Sequence, residues 1–158
     1  MNITGLFETH LPVTDLDRSV AFYRDILGLP LAYTQPERSV AFLWIGAPGW
    51  AMLGLWQSNP VLRLHLHLAF SLPRDELLAA PANLRQAGVI PRGFGGTGND
   101  EPLVYGWMPA VAVFFDDPDG HSLEFISMLP DPPRPDLGVV AWTDWQKLVG
   151  DSGVHERV

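Results

Sequence analysis

The sequence predicts an α+β fold made of two successive modules, each a strand, a helix and three further strands. Three observations carry this. A strand-like run at 5–13 passes directly into TDLDRSVAFYRDILGL, whose apolar residues recur at helical spacing. The same order then returns: VLRLHLHLAFSL alternates strictly over 61–71, and a helix-like run follows at 73–87. Each helix gives way to short apolar runs separated by turn residues.

Taken in order, FETHLPVTDL alternates so that Glu8, His10 and Pro12 share one face, with Phe7, Thr9, Leu11 and Val13 on the other. Thr14 followed by Asp17 matches a capping box. Leu16, Val20, Tyr23 and Leu27 make one helical face, and Gly28 stands where a helix C-terminus favours glycine, so a helix is expected over 15–27. Strands follow at 30–35, 39–46 and 50–57. In the second half the helix at 73–87 ends at Gly88, and Pro81 is expected to break or kink it. A strand is expected near 89–93, and GFGGTGND reads as a long turn. AVAVFF at 110–115 and HSLEFIS at 121–127 form a hairpin through DDPDG. Residues 129–141 are proline-rich and read as an extended arm. Thr143 and Gln146 repeat the capping-box spacing and start a short helix at 143–149. The expected organisation is a first module at 1–58, a second at 59–128 and a C-terminal arm at 129–158, in one compact domain.

Composition narrows the function. Among 158 residues, 47% are hydrophobic and 18% charged, and no apolar run nears the roughly 18 residues of a membrane span. The N-terminal segment has no basic stretch leading into an apolar one, so no secretion signal is expected. The net charge of −8 comes without any basic run, which argues against nucleic acid and anionic membranes as partners. The chain has no cysteine. That excludes disulfides, thiolate zinc sites and a cysteine nucleophile, and it fits a cytoplasmic protein.

The candidate chemistry lies on three strands. In the run at 61–71, Leu64, Leu66, Leu68 and Phe70 form an apolar face, with Arg63, His65, His67, Ala69 and Ser71 opposite. In the last strand Leu123 and Phe125 oppose Ser122, Glu124 and Ile126. The opening strand splits in the same way, so ionisable groups stand opposite helix-packing faces three times. If the sheets curl, those faces line a common cavity. Singly, Glu8 and His65 read as strand residues facing water and His10 as a histidine with its hydrogen bonds satisfied. His121, just after the turn glycine, reads as hydrogen-bonded there, and Trp142 and Trp145 as anchors of the arm. The Gly-rich stretch lacks a strand-to-helix setting and is rejected as a nucleotide loop.

THLPVTDLDRSVAFYRDILGL resembles the first module of the vicinal oxygen chelate superfamily, which includes glyoxalase I, fosfomycin-resistance thiol transferases, extradiol dioxygenases and bleomycin-binding proteins. HLAFSL resembles the start of its second module and DDPDGHSLEFI its closing hairpin, so the resemblance spans 5–127. It implies βαβββ modules curled around a divalent metal, commonly in a homodimer, acting on a small-molecule substrate. Carried over residue by residue, it implies metal ligands at Glu8, His67 and Glu124. His10 is implied as a neighbour of Glu8 or its replacement, and Glu8, His10 or Glu124 as a catalytic base. The ion is expected among Mn, Fe, Ni, Zn and Mg. Glyoxalase I has a further glutamate at the position of Gly54, a departure that argues against that activity here. With Trp50, Met52 and Trp56 on its face, and His65 nearby, Gly54 reads as part of a substrate pocket. The implied reaction is lyase, isomerase or ring-cleaving oxygenase chemistry on adjacent oxygens. The alternative is metal-free binding of a drug or metabolite, as in bleomycin-resistance proteins.

Overall fold

The computed structural model describes residues 2, 4–59, 64–96 and 101–152. Residues 61–63 of the expected fifth strand and the last four of GFGGTGND lie outside the described residues. The chain divides into two units, Met1–Leu66 with Asp117–His121, and His67–Asp116 with Ser122–Val158.

The first unit contains β1 (Glu8–Val13), α1 (Leu16–Ala21), β2 (Leu31–Gln35), β3 (Val40–Ile45) and β4 (Ala51–Gln57). Its sheet runs β1-β4-β3-β2, with β1 parallel to β4 and the other pairs antiparallel. Strict alternation sends Leu11, Val13, Ala41, Leu43, Leu53 and Leu55 to one face, where α1 covers β3 and β4 and all six are shielded from solvent. α1 differs from the expectation at both ends. Its N-cap is Asp15, whose carboxylate accepts the Arg18 N–H at 3.0 Å. Thr14 does not form the capping box, because its hydroxyl and N–H both go to Asp119. Beyond Ala21 the helix widens into a π-turn over Phe22–Ile26, which buries Phe22 and Tyr23, and Gly28 then takes φ +74°.

The turn Asp117–His121 belongs to this unit through specific bonds. Asp119 accepts from Thr14, Ser19 and Arg18, and Tyr23 donates to Asp117 at 2.8 Å. His121 is buried, with Nε2 donating to the Pro12 carbonyl at 2.7 Å and Nδ1 accepting the Leu66 N–H. The structural role expected of His121 is the one it fills.

The second unit contains β5 (His67–Ser71), α2 (Arg74–Gln86), β6 (Leu103–Tyr105), β7 (Ala110–Asp116), β8 (Ser122–Met128), β9 (Val139–Ala141) and α3 (Trp142–Ser152). Its sheet runs β5-β8-β7-β6-β9, so its first four strands repeat the order and directions of the first unit. α2 continues through Pro81, contrary to the expected break, with Leu77, Ala80, Pro81 and Leu84 buried together. That apolar stripe packs on β7 and β8 and offsets the hydrogen bond that Pro81 cannot make. Residues 89–93 form no strand: they carry isolated bridges, Arg92 to Phe114 and Gly93 to Gly96, and β6 is the strand that pairs with β7. The arm is not merely extended: β9 pairs antiparallel with β6 and covers that edge. α3 begins at Trp142, and Thr143 turns its hydroxyl and N–H to Glu101 rather than to a capping box. Trp145 is buried and donates to Asp131, which ties the arm down.

Candidate metal centre

In each unit the face opposite the helices carries the ionisable groups. In the first, register places His10, Gly54 and Phe42 in one row across β1, β4 and β3. In the second, Ala69, Glu124 and Phe114 form the equivalent row across β5, β8 and β7. One residue earlier on each opening strand's outward face stand Glu8 and His67, next to Met52 and Ser122.

His67 Nδ1 lies 3.0 Å from the Ser122 carbonyl, and Nε2 lies 3.1 Å from Glu124 Oε2. A carbonyl only accepts, so Nδ1 carries the proton, and the neutral ring then turns the Nε2 lone pair toward a carboxylate. Two lone pairs at that distance require a cation or a proton between them. Glu124 is buried, and its Oε1 has no hydrogen-bond partner among the described residues. Burial raises its pKa, an effect partly countered by His67 and by the Tyr105 hydroxyl that faces it. Tyr105 is itself pushed up to about 12, by burial first and by the Glu124 charge second. A backbone-anchored imidazole beside a carboxylate with an orphaned oxygen fits a divalent ion.

Glu8 and His10 make the other pair. His10 Nε2 is 2.9 Å from Glu8 Oε1, and the Trp56 indole N–H donates to His10 Nδ1. The imidazole meets Phe42 edge-on at 6.0 Å and lies over Gly54, where an added Cβ would stand 2.5 Å from Nδ1. Arg38 stacks over Trp56 at 4.6 Å.

Glu8 and His10 therefore meet within the first unit, and His67 and Glu124 within the second. Among the described residues no group of three or more His, Asp or Glu is gathered. Met52, Gly54 and Trp56 lie on the Glu8 face through β4, and Trp50 is exposed beside the β3–β4 turn with its ring against Gly46. His65 directs Nδ1 at the Gly120 carbonyl. Tyr105, Phe42, Phe114 and Arg38 were not singled out by the sequence. Phe42 and Phe114 recur at equivalent places in the two repeats, a signal that aligning one half on the other exposes.

Residues 5–125 match the Glyoxalase/Bleomycin resistance protein/Dioxygenase superfamily, and the chain belongs to that family. A lactoylglutathione lyase from Salmonella typhimurium is 31% identical over 131 residues, covering 77% of this chain and 90% of that protein. A metallothiol transferase FosB from Lysinibacillus sphaericus is 27% identical over 128 residues, covering 79% and 83%. Among solved structures, an integron cassette protein from the Halifax Harbour sewage outfall metagenome superposes with a TM-score of 0.67. It is 30% identical, covering 80% of this chain and all (100%) of that one.

Proposed function

We propose that this chain is a metal-dependent member of its superfamily, acting on a small molecule with two adjacent oxygens. His67 and Glu124 are its central ligands and Glu8 the third. The observation that carries the reading is the His67–Glu124 pair, with Nδ1–H spent on Ser122 and Glu124 Oε1 without a hydrogen-bond partner among the described residues. A one-histidine, two-carboxylate set suits Mn²⁺, Fe²⁺, Ni²⁺ or Mg²⁺, and it also accommodates Zn²⁺. When bound, the ion supplies Lewis acidity to the substrate oxygens.

The chain's own residues do the rest. Ser122 holds the His67 ring in the ligating tautomer. Glu8 or Glu124 takes the proton that the substrate gives up. With glycine at 54 the set is one carboxylate short of that expected for glyoxalase I, which leaves more of the coordination sphere to substrate. The lyase and thiol transferase among the relatives direct the first assays to dicarbonyls with a thiol and to epoxides with a thiol. Catechols under air test the oxygenase branch. Turnover of one class that requires added Mn²⁺ or Ni²⁺, and is lost in His67→Ala, supports the reading. Metal-independent binding of these compounds without turnover favours a sequestering protein, a reading to which the Phe42, Trp56 and Met52 face lends support. The chain is further proposed to act as a cytoplasmic homodimer.

A further inference from the structure

The histidines of the two pairs, His10 with Glu8 and His67 with Glu124, are held in opposite tautomers. His67 gives its Nδ1 proton to a carbonyl, which frees Nε2. His10 receives at Nδ1 from Trp56, and an indole nitrogen can only donate. The one proton of the neutral His10 ring therefore sits on Nε2, aimed at Glu8 Oε1 at 2.9 Å. Neither nitrogen then has a lone pair to give.

The repeat explains why a histidine stands there. In the second unit the row reads Ala69, Glu124, Phe114: a small residue on the opening strand leaves room for the carboxylate on its neighbour. In the first unit the row reads His10, Gly54, Phe42. The large and small positions are exchanged, and the imidazole lies in the space that a side chain on β4 would fill, against Phe42. The polar side chain of the row thus stands on β1 rather than on β4, and its nitrogens face Trp56 and Glu8.

We infer that His10 is a positioning residue for Glu8, locked by Trp56 in the Nε2–H tautomer and so withheld from the metal. The metal-binding arm of this inference rests on the function proposed above; the tautomer arm does not. Trp56 fixes the ring, the ring fixes Glu8 Oε1, and Oε2 is left as the oxygen for ligation. Arg38 over the indole face draws electron density from it and strengthens the N–H as a donor. The first unit accordingly contributes one carboxylate donor rather than a carboxylate and an imidazole.

Long-range ¹H–¹⁵N correlation of the imidazoles in metal-free protein, well above the ordinary histidine pKa, tests the lock directly. The His10 signals, assigned by their loss in His10→Gln, are expected to show the Nε2–H form. Removing both partners, in Trp56→Phe combined with Glu8→Ala, should convert them to a tautomer mixture. With Cu²⁺ as probe, pulsed EPR should detect one coordinated imidazole, lost in His67→Ala and kept in His10→Gln. Mn²⁺ affinity should fall about 10- to 100-fold in His10→Ala and recover in His10→Gln, whose amide both accepts from Trp56 and donates to Glu8. An Nδ1–H signal for His10, indifference to the Trp56→Phe, Glu8→Ala double change, or two coordinated imidazoles overturns the inference. Absence of any metal uptake by wild type defeats the functional reading instead, and the tautomer spectra still decide the lock.

Discussion

His67 Nε2 and Glu124 Oε2 face each other at 3.1 Å across the parallel pair β5–β8, and with Nδ1–H given to the Ser122 carbonyl the neutral ring and the carboxylate meet as two acceptors. On the metal-binding reading proposed above, the pair carries this conflict in metal-free protein. Glu124→Gln removes it, since the amide N–H donates to His67. Metal-free Glu124→Gln should be more stable than wild type at neutral pH by on the order of 1 kcal/mol, read by thermal unfolding in a chelator. Added Mn²⁺ should stabilise wild type and leave the variant unchanged. A variant less stable than metal-free wild type contradicts this account of the pair.

Gly54→Ala probes the exchanged row. The new Cβ would stand 2.5 Å from His10 Nδ1, so the ring must move and its bonds to Trp56 and Glu8 must break. The expected cost is about 1–3 kcal/mol, with His10 ring signals shifted and Mn²⁺ binding weakened. Unchanged His10 signals would show that the ring does not occupy that space.

Asp119 binds the turn to α1 and links acid to unfolding. Burial works to raise its pKa, but hydrogen bonds from Thr14, Ser19 and Arg18 outweigh it and hold the carboxyl below its ordinary value. A depressed folded pKa gives stability that is present above the unfolded value and lost as pH falls through the folded one. Asp119→Asn should lower stability at neutral pH by about 2 kcal/mol, and the gap should close in acid. Denaturant unfolding along a pH series reads both.

Tyr23 and Asp117 give the opposite sign. Burial first, and the Asp117 charge second, raise the phenol pKa. Its contribution is full below the ordinary phenol pKa and declines as pH rises. Tyr23→Phe should cost roughly 1–3 kcal/mol at neutral pH, because it leaves Asp117 short of a donor, and it should flatten the alkaline loss of stability. Phenolate absorbance of wild type should show one tyrosine that ionises only on unfolding.

What the sequence made legible follows from the range of the forces involved. AMLGLWQ, AVAVFF and HSLEF are short runs bounded by turn residues, a local signal, so these strands are readable. The failure of the capping box at Thr14 is not, because Asp119, 105 residues away, accepts the Thr14 N–H that the Asp17 carboxylate would take. The strands Leu103–Tyr105 and Val139–Ala141 are three residues each, and they exist because they pair with each other and with β7. A local rule marks Pro81 as a break or a kink, and packing keeps the helix unbroken through it. At the site, motif spacing pointed to His67 and Glu124, and register sets them together. The role of His10 stayed open because it depends on Trp56, 46 residues on, and on the missing side chain at Gly54.

The central claim is that His67 and Glu124 hold a divalent ion. Calorimetric titration of metal-stripped wild type with Mn²⁺ and Ni²⁺ near neutral pH tests it most directly, beside His67→Ala and Glu124→Ala checked for an unchanged circular dichroism spectrum. The account predicts stoichiometric uptake by wild type and none by either variant. A folded wild type that takes up neither ion, or variants that bind as wild type does, would contradict it.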